Sequence, residues 1–299
     1  MFDYSVPQKT FEVHGVKIGG EPGLVPTVMV GSMFYNGHLV VENASEGLFD
    51  AVEAEAELRD AEEMSDTTGL PTVIDLVAEN TFAASKYLDF MVDTTDMPIF
   101  LDVLSDQEQV GSLHYAHEQG MMDRILLNSV NPHTGDKVYE ALKETGCKHA
   151  VLLLHSMRHM LSSNKDAVLE EMVPKAEAAG VESILVDTVV IDIPTLGLAT
   201  KAIHRIKDKY GYPCGCGAHN ALASWRRLRE KYTPRAVTMA TAITSALPIA
   251  AGGDFVFYGP VKNAKAMYPA IALIDAAYSQ HHLEKRVRVD RSHPRYRIG

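Results

Sequence analysis

Short apolar runs rich in β-branched residues alternate along the chain with segments whose apolar positions recur at helical spacing. That alternation predicts strand–helix repetition around a parallel sheet. Eight runs read as strands: Thr27–Gly31, Thr72–Val77, Ile99–Val103, Arg124–Ser129, Ala150–His155, Ser183–Thr188, Pro213–Ala218 and Asp254–Tyr258. From the second onward they are spaced by roughly 25 to 35 residues, close to one βαβ unit, so eight strands can close into a barrel without a second domain. Between them, Leu48 to Ser65 predicts a helix with Leu48, Val52, Ala56 and Met64 as its apolar members. Asp106 is expected to cap the helix of Val110, Leu113 and His117, which Gly120 would end. Val138 and Leu142 precede Gly146, and Ala202, Ile203 and Ile206 precede Gly211, giving two more helices with glycine stops. Ahead of the first strand, Phe11–Ile18 and the turn Gly19-Gly20-Glu21-Pro22-Gly23 predict a hairpin that plugs the barrel floor. The expected fold is one α/β TIM barrel over residues 1–299, with the hairpin in 1–25 and a basic tail in 284–299. An open doubly wound sheet would place a glycine-rich phosphate turn after its first strand. Here that turn reads Gly31-Ser32-Met33-Phe34-Tyr35-Asn36-Gly37, and neither GxGxxG nor a Walker sequence occurs.

Composition narrows the class. The 299 residues are 46% hydrophobic and 22% charged, enough to bury a sizeable core. Twenty-eight basic against 39 acidic side chains leave a formal charge of -11, which argues against nucleic acid as a partner. Cys147, Cys214 and Cys216 do not form a disulfide framework, and a reducing compartment, the cytoplasm, is expected. The start MFDYSVPQKTFEVHG lacks a cationic stretch followed by an apolar run, and no segment reaches the roughly 18 apolar residues of a membrane helix. A soluble protein without membrane insertion is expected. Lys285, Arg286, Arg288, Arg291, Arg295 and Arg297 make the tail basic, and it is read as a strap on the chain's own acidic surface.

The working residues of such a barrel lie at the carboxyl ends of its strands. Those ends carry Asp75 in VIDLVAEN, Asp102 in FLDVLSD, Asn128 in LLNSVN, Asp187 in LVDTVV, and His219 with Asn220 in GCGAHNA. A carboxylate embedded in Ile, Leu and Val costs several kcal/mol unless it is paired. One such residue could simply hold a loop; a set converging on one face points to a ligand with matching donors. Carboxylates and amides together suit an aminopyrimidinone edge, which offers N–H and amino donors beside a carbonyl acceptor. Ser32 and Tyr35 are read as wall residues of the same mouth. Cys214, Cys216 and His219 could be weighed as zinc ligands, but His219 lies beyond the end of the strand that holds the thiols, and no metal is expected. His155, Met157, His159 and Met160 are expected to line the mouth rather than to bind haem or copper.

The stretch FLDVLSDQEQVGSLHYAHEQGMMDRILLNSVN resembles the pterin-binding signature of dihydropteroate synthases and corrinoid-linked tetrahydrofolate methyltransferases, with Asp102 and Asn128 in the key positions. Asp187 and Asn220 match by order and placement, and Asp75 less closely. Further blocks, VHGVKIGGEPGLVPTVMVGSMFYNGH, EEMSDTTG, LVDT and AGGDFVFYGPVKNAK, resemble the H subunit of tetrahydromethanopterin methyltransferase and its bacterial relatives in glycine betaine metabolism. The resemblance implies that Asp75, Asp102, Asn128, Asp187 and Asn220 bind the pterin, with Asn220 and Asp102 as the catalytic pair. It implies methyl transfer between N5 of tetrahydrofolate and a corrinoid, giving 5-methyltetrahydrofolate, with tetrahydrofolate preferred because the chain reads as a stand-alone enzyme. The corrinoid (cobalamin) is expected on a partner protein, because this chain lacks the DxHxxG pattern of a cobalt-ligating histidine. A homodimer is expected. The alternatives are the H-subunit type of activity on tetrahydromethanopterin, a dihydropteroate-synthase-like enzyme and a non-catalytic pterin-binding subunit. The synthase reading is disfavoured because the last two strand ends lack the arginine motif that holds an anionic leaving group, and Lys262 is the nearest cation.

Overall fold

A computed structural model describes residues 2–155 and 161–299. Two antiparallel strands, β1 (Thr10–Val13) and β2 (Val16–Gly19), form a hairpin as expected, but it turns at His14-Gly15, inside Phe11–Ile18, and not at Gly19–Gly23. β3 (Val28–Met33) opens the barrel and is followed by a second small antiparallel pair, β4 (Val41–Asn43) and β5 (Leu48–Phe49). The remaining barrel strands are β6 (Thr72–Ala78), β7 (Ile99–Val103), β8 (Ile125–Val130), β9 (His149–Leu153), β10 (Ser183–Asp187), β11 (Cys214–Cys216) and β12 (Phe255–Pro260). They pair in parallel in chain order, and β12 closes on β3. Among the described residues eight helices ring them: α1 (Ala51–Thr68), α2 (Thr81–Thr94), α3 (Asp106–Glu118), α4 (Asp136–Thr145), α5 (Lys165–Ala178), α6 (Ile193–Tyr210) and, beyond the short α7 (His219–Ala223) and α8 (Leu228–Lys231), α9 (Pro234–Ala250) and α10 (Ala264–Glu284). A last short helix is α11 (Pro294–Arg297). The TIM barrel read from the sequence is therefore the fold. No helix among the described residues is long and apolar enough to cross a membrane.

Several boundaries move, each for a local reason. β3 runs two residues further than expected because Ser32 and Met33 pair with Asp75 and Leu76 on β6. α1 starts at Ala51, not Leu48, because the Asp50 carboxylate accepts from the Val52 and Glu53 amides, 3.0 Å each, while Leu48 and Phe49 are used in β5. Ser105 caps α3 in place of Asp106, whose carboxylate instead accepts from the Gly135 amide at 2.7 Å. Gly120, Gly146 and Gly211 adopt the left-handed conformation just beyond their helices, as expected.

Alternation along the strands separates two cores. Met29, Ile74, Leu101, Leu127, Val186, Cys214 and Cys216 face outward into the layer between strands and helices. Val28, Val30, Val73, Phe100, Leu126, Val151, Leu185, Phe255 and Phe257 face inward and fill the lower lumen. Val13 and Ile18 of the hairpin join that inner cluster from below, so β1 and β2 do plug the floor. Each contributes roughly 1.5–3 kcal/mol of burial. β11 gives way to this packing: a Cβ on Gly215 would lie 2.3 Å from the Phe255 carbonyl oxygen and 2.4 Å from its ring. An ion pair also closes the floor. Fully buried Lys207 of α6 meets Asp254 and donates to the Gly20 carbonyl at 3.0 Å, while Asp254 accepts from the Cys214 amide at 2.8 Å.

The basic tail is not held as a strap on acidic side chains. Arg295 donates to Ser279 Oγ at 3.0 Å and Gln280 Oε1 at 2.9 Å on α10, and among the described residues the tail's ion pair is Lys285 with Asp3 at 3.8 Å.

Candidate active site

Above the inner aromatic layer the lumen widens into a cavity of about 500 Å³, within the ~300–1,000 Å³ typical of small-molecule sites. Its polar wall is formed by the next inward-facing position on successive strands: Ser32 on β3, Asp75 on β6, Asp102 on β7, Asn128 on β8 and Asp187 on β10. Asn220 and His219, in the first turn of α7, line the same cavity, as do Leu153, Phe257 and Tyr35. All five residues read from the sequence as pterin ligands thus meet in one place.

The cavity residues differ in how far their own chain satisfies them. Asp75 is fully engaged, accepting from Ser32 Oγ at 2.7 Å on one oxygen and from Asn128 Nδ2 at 3.0 Å on the other. Asn128 thereby keeps its carbonyl oxygen directed by a fixed amide. Asp187 accepts from the Val189 amide at 2.6 Å on Oδ1. Among the described residues none donates a hydrogen bond to the Asp102 carboxyl, which leaves its oxygens to a ligand. Next to the fixed Asp75–Asn128 pair, Asp102 is a carboxylate of the ring with no donor among the described residues.

Burial dominates the electrostatics. It pushes the Asp75 carboxyl up to about 6, against the opposing hydrogen bonds from Ser32 and Asn128. Burial likewise pushes Asp187 up to about 6, opposed by the Val189 amide and by the Lys165 ammonium. Asp102 is raised well above the usual carboxylate range, first by burial and then by the charge of Asp75, so the Asp75–Asp102 pair retains a proton where isolated carboxylates would not. These groups bind protons more tightly folded than unfolded. For Asp75 and Asp187 the resulting stability is present below the unfolded value of 3.8 and is lost as pH rises through about 6, on the order of 3 kcal/mol for each. At neutral pH the burial of these carboxylates is therefore destabilising, which a ligand carrying N–H donors would relieve.

His219 lines the cavity beside Asn220, at the strand end where the sequence places it. Its Nδ1 lies 3.1 Å from the Phe257 carbonyl oxygen, so Nδ1 carries the proton and Nε2 the lone pair; burial depresses its pKa. Cys214 and Cys216 do share one side of β11, but that side faces outward, away from the cavity that His219 lines. Among the described residues no three His, Cys, Asp or Glu side chains are grouped to hold a metal ion. Ser32 and Tyr35 line the cavity as expected, with Ser32 also serving Asp75; Met157, His159 and Met160 lie outside the described residues.

Comparison with known proteins decides the family. Residues 6–290 match the family described as tetrahydromethanopterin S-methyltransferase MtrH subunit. The chain belongs to the MtrH family. It is 35% identical over 291 residues to the H subunit of tetrahydromethanopterin S-methyltransferase from Methanothermobacter thermautotrophicus, covering 94% of both chains. It is 31% identical over 290 residues to the protein of that name from Methanopyrus kandleri, and 30% identical over 287 residues to the H subunit of the putative methyltransferase mtx of Methanosarcina mazei, covering 90% and 92% of each pair. Among solved structures, the barrel superimposes on Yersinia pestis dihydropteroate synthase with a TM-score of 0.61 at 13% identity, over 90% of this chain and 98% of that one, a likeness of fold. MtrH membership corrects the tetrahydrofolate enzyme expected from the sequence: where the names of these relatives specify a pterin, it is tetrahydromethanopterin. Preference for a stand-alone enzyme had decided that choice, and no residue had.

Proposed function

We propose that this MtrH-family chain binds tetrahydromethanopterin in the barrel cavity and moves a methyl group between its N5 and a corrinoid carried by a separate protein. The observation that carries this reading is the ring of Asp75, Asp102, Asn128 and Asp187 on one wall, with no donor to the Asp102 carboxyl among the described residues. Asp102 and Asp187 take the N–H and amino donors of the pterin head, and the Asn128 carbonyl, fixed through Asp75, takes a further donor. No lysine or arginine is among the described residues that line the cavity, which suits a reaction without an anionic leaving group and speaks against the synthase reading.

In the transfer from pterin to corrinoid, the C–N5 bond breaks with its electron pair left on nitrogen, which gains a proton; the corrinoid, held by its own protein, would supply the electron pair that takes the methyl group. The chain itself supplies orientation, a dry cavity floor and control of that proton. Asn220, at the mouth, is assigned the hydrogen bond through which N5 gains its proton, and Asp102, by holding the pterin head, orients N5 for the transfer. Exposed apolar side chains follow the carboxyl ends of three barrel strands: Leu39 (82% exposed) after β3, Phe82 (59%) in the first turn of α2 after β6, and Leu104 (73%) after β7. Such exposure suits a macromolecular partner that delivers a methyl carrier to the opening. Three free, buried thiols fit a cytoplasmic setting.

Calorimetric titration with tetrahydromethanopterin from pH 5 to 7 tests the reading. Affinity is expected to rise about tenfold as Asp187 ionises through about 6, and Asp187→Asn to flatten that rise. The absence of saturable binding, or an unchanged pH profile in Asp187→Asn, overturns it; tighter binding of tetrahydrofolate would reject the choice of pterin.

A further inference from the structure

The turn after β3 holds a buried side-chain pair outside the carboxylate ring. Phe34 adopts a left-handed backbone, φ 63°, which costs a non-glycine residue on the order of 1–2 kcal/mol. Two contacts hold it there. Its ring stacks on Tyr87 at 4.2 Å between centroids and 7° between planes, and its amide donates to Nδ1 of His38 at 3.2 Å. His38 is 1% exposed, and its own amide donates to the Tyr35 carbonyl at 2.8 Å. Its other ring nitrogen, Nε2, lies 3.0 Å from Oε2 of Glu57, a buried residue of α1.

These contacts define the imidazole. A nitrogen that accepts from an amide carries no proton, so the proton is on Nε2 and is donated to the Glu57 carboxylate. Flipping or protonating the ring would set N–H against N–H at Phe34 or leave a buried carboxylate unmet. The flat face of this fixed imidazole backs Tyr35: the two rings stack at 4.8 Å and 22°, and Tyr35 lines the cavity.

We propose that His38, held in one neutral tautomer by Glu57, is the positioning residue that sets Tyr35 as the aromatic wall against which the planar ring of the ligand packs. The identity of that ligand rests on the pterin reading above; the tautomer and the placement of Tyr35 do not. Glu57 acts through His38, and His38 acts through Tyr35 and the Phe34 turn. Stacking on a pre-set aromatic face adds affinity because the ring need not be ordered when the ligand arrives.

The test combines nitrogen NMR of the full-length wild type with tetrahydromethanopterin titrations and turnover of variants. The His38 nitrogens are expected to show an unprotonated Nδ1 and a protonated Nε2 at neutral pH. His38→Phe, which keeps a flat ring but neither bond, is expected to raise Kd and KM about tenfold, with the larger effect in KM and the smaller in kcat; Tyr35→Ala is expected to lose at least as much. His38→Asn, whose amide oxygen can still accept from Phe34, is expected to recover most of the loss, and Glu57→Gln to cost less than Glu57→Leu. A protonated Nδ1, or folded His38→Phe with wild-type affinity, overturns the proposal. Should His38→Phe fail to fold, the wild-type nitrogen shifts and His38→Asn decide. Failure of the wild type to bind the pterin at all overturns the functional reading, while the tautomer still tests the positioning pair.

Discussion

Asp102→Ala is expected to weaken tetrahydromethanopterin binding by about 100-fold or more and, at the same time, to raise the thermal midpoint of the unliganded protein. The two effects share one cause. The Asp102 carboxyl is buried beside Asp75 with no donor to it among the described residues, so the folded chain bears a desolvation cost and a like-charge repulsion that alanine removes. Because the position opens onto the cavity, shortening the side chain leaves no sealed void behind. On binding, the same carboxyl would accept two charge-assisted hydrogen bonds, together worth roughly 3 kcal/mol, hence the factor of about 100. Raising the pH should widen the stability difference between variant and wild type, since the cost in wild type grows as the carboxyl ionises. Calorimetry and thermal melts at pH 5 and pH 8 measure both arms. A variant that binds pterin as wild type does, or that melts lower at pH 8, contradicts the assignment.

Lys207→Met is expected to give the largest loss of stability, about 3–5 kcal/mol, read from denaturant unfolding. The ammonium is fully buried among the floor of the barrel, the Gly20 turn and α6, and its removal strands Asp254 without a cation while the Gly20 carbonyl loses its donor. Asp254 also caps the Cys214 amide, so the start of β11 should loosen with it. Replacing both partners, Lys207→Met with Asp254→Leu, is expected to recover part of the loss, because the uncompensated charge is gone and only the Cys214 and Gly20 bonds remain unmet. A single variant within about 1 kcal/mol of wild type would show that the pair is not what closes the floor.

Much of this molecule is legible in its sequence because the inner and outer faces of the strands obey different rules. Runs such as VIDLV and FLDV are apolar on both faces, as a sheet covered by helices outside and side chains inside requires, and the single carboxylates in them mark where the lumen stops being core. That is why Asp75, Asp102, Asn128 and Asp187 could be placed on one wall from spacing alone, and the structure puts them there. Other features depend on contacts distant in sequence. The length of β3 follows from its pairing with β6, and the brevity of β11 from the Phe255 ring against Gly215. Whether Ser105 or Asp106 caps α3 is settled by Gly135, which claims the Asp106 carboxylate from the next βα unit. His219 is legible at the strand end beside Asn220, while only the fold shows that its neighbours Cys214 and Cys216 point the other way. The His38–Glu57 pair was not legible at all, since nothing local ties α1 to the turn after β3.

Methyl transfer itself is the most direct measurement. N5-methylated tetrahydromethanopterin is mixed with the protein and a reduced corrinoid, free or bound to its carrier protein, and the corrinoid spectrum is followed with time. Conversion to the methylated corrinoid at a rate that saturates in the methyl-pterin, and that falls about 100-fold or more in Asp102→Ala, is the expected result. Saturable pterin binding with no conversion by either form of corrinoid would contradict a methyl-transferring site and leave this barrel a pterin-binding protein without turnover.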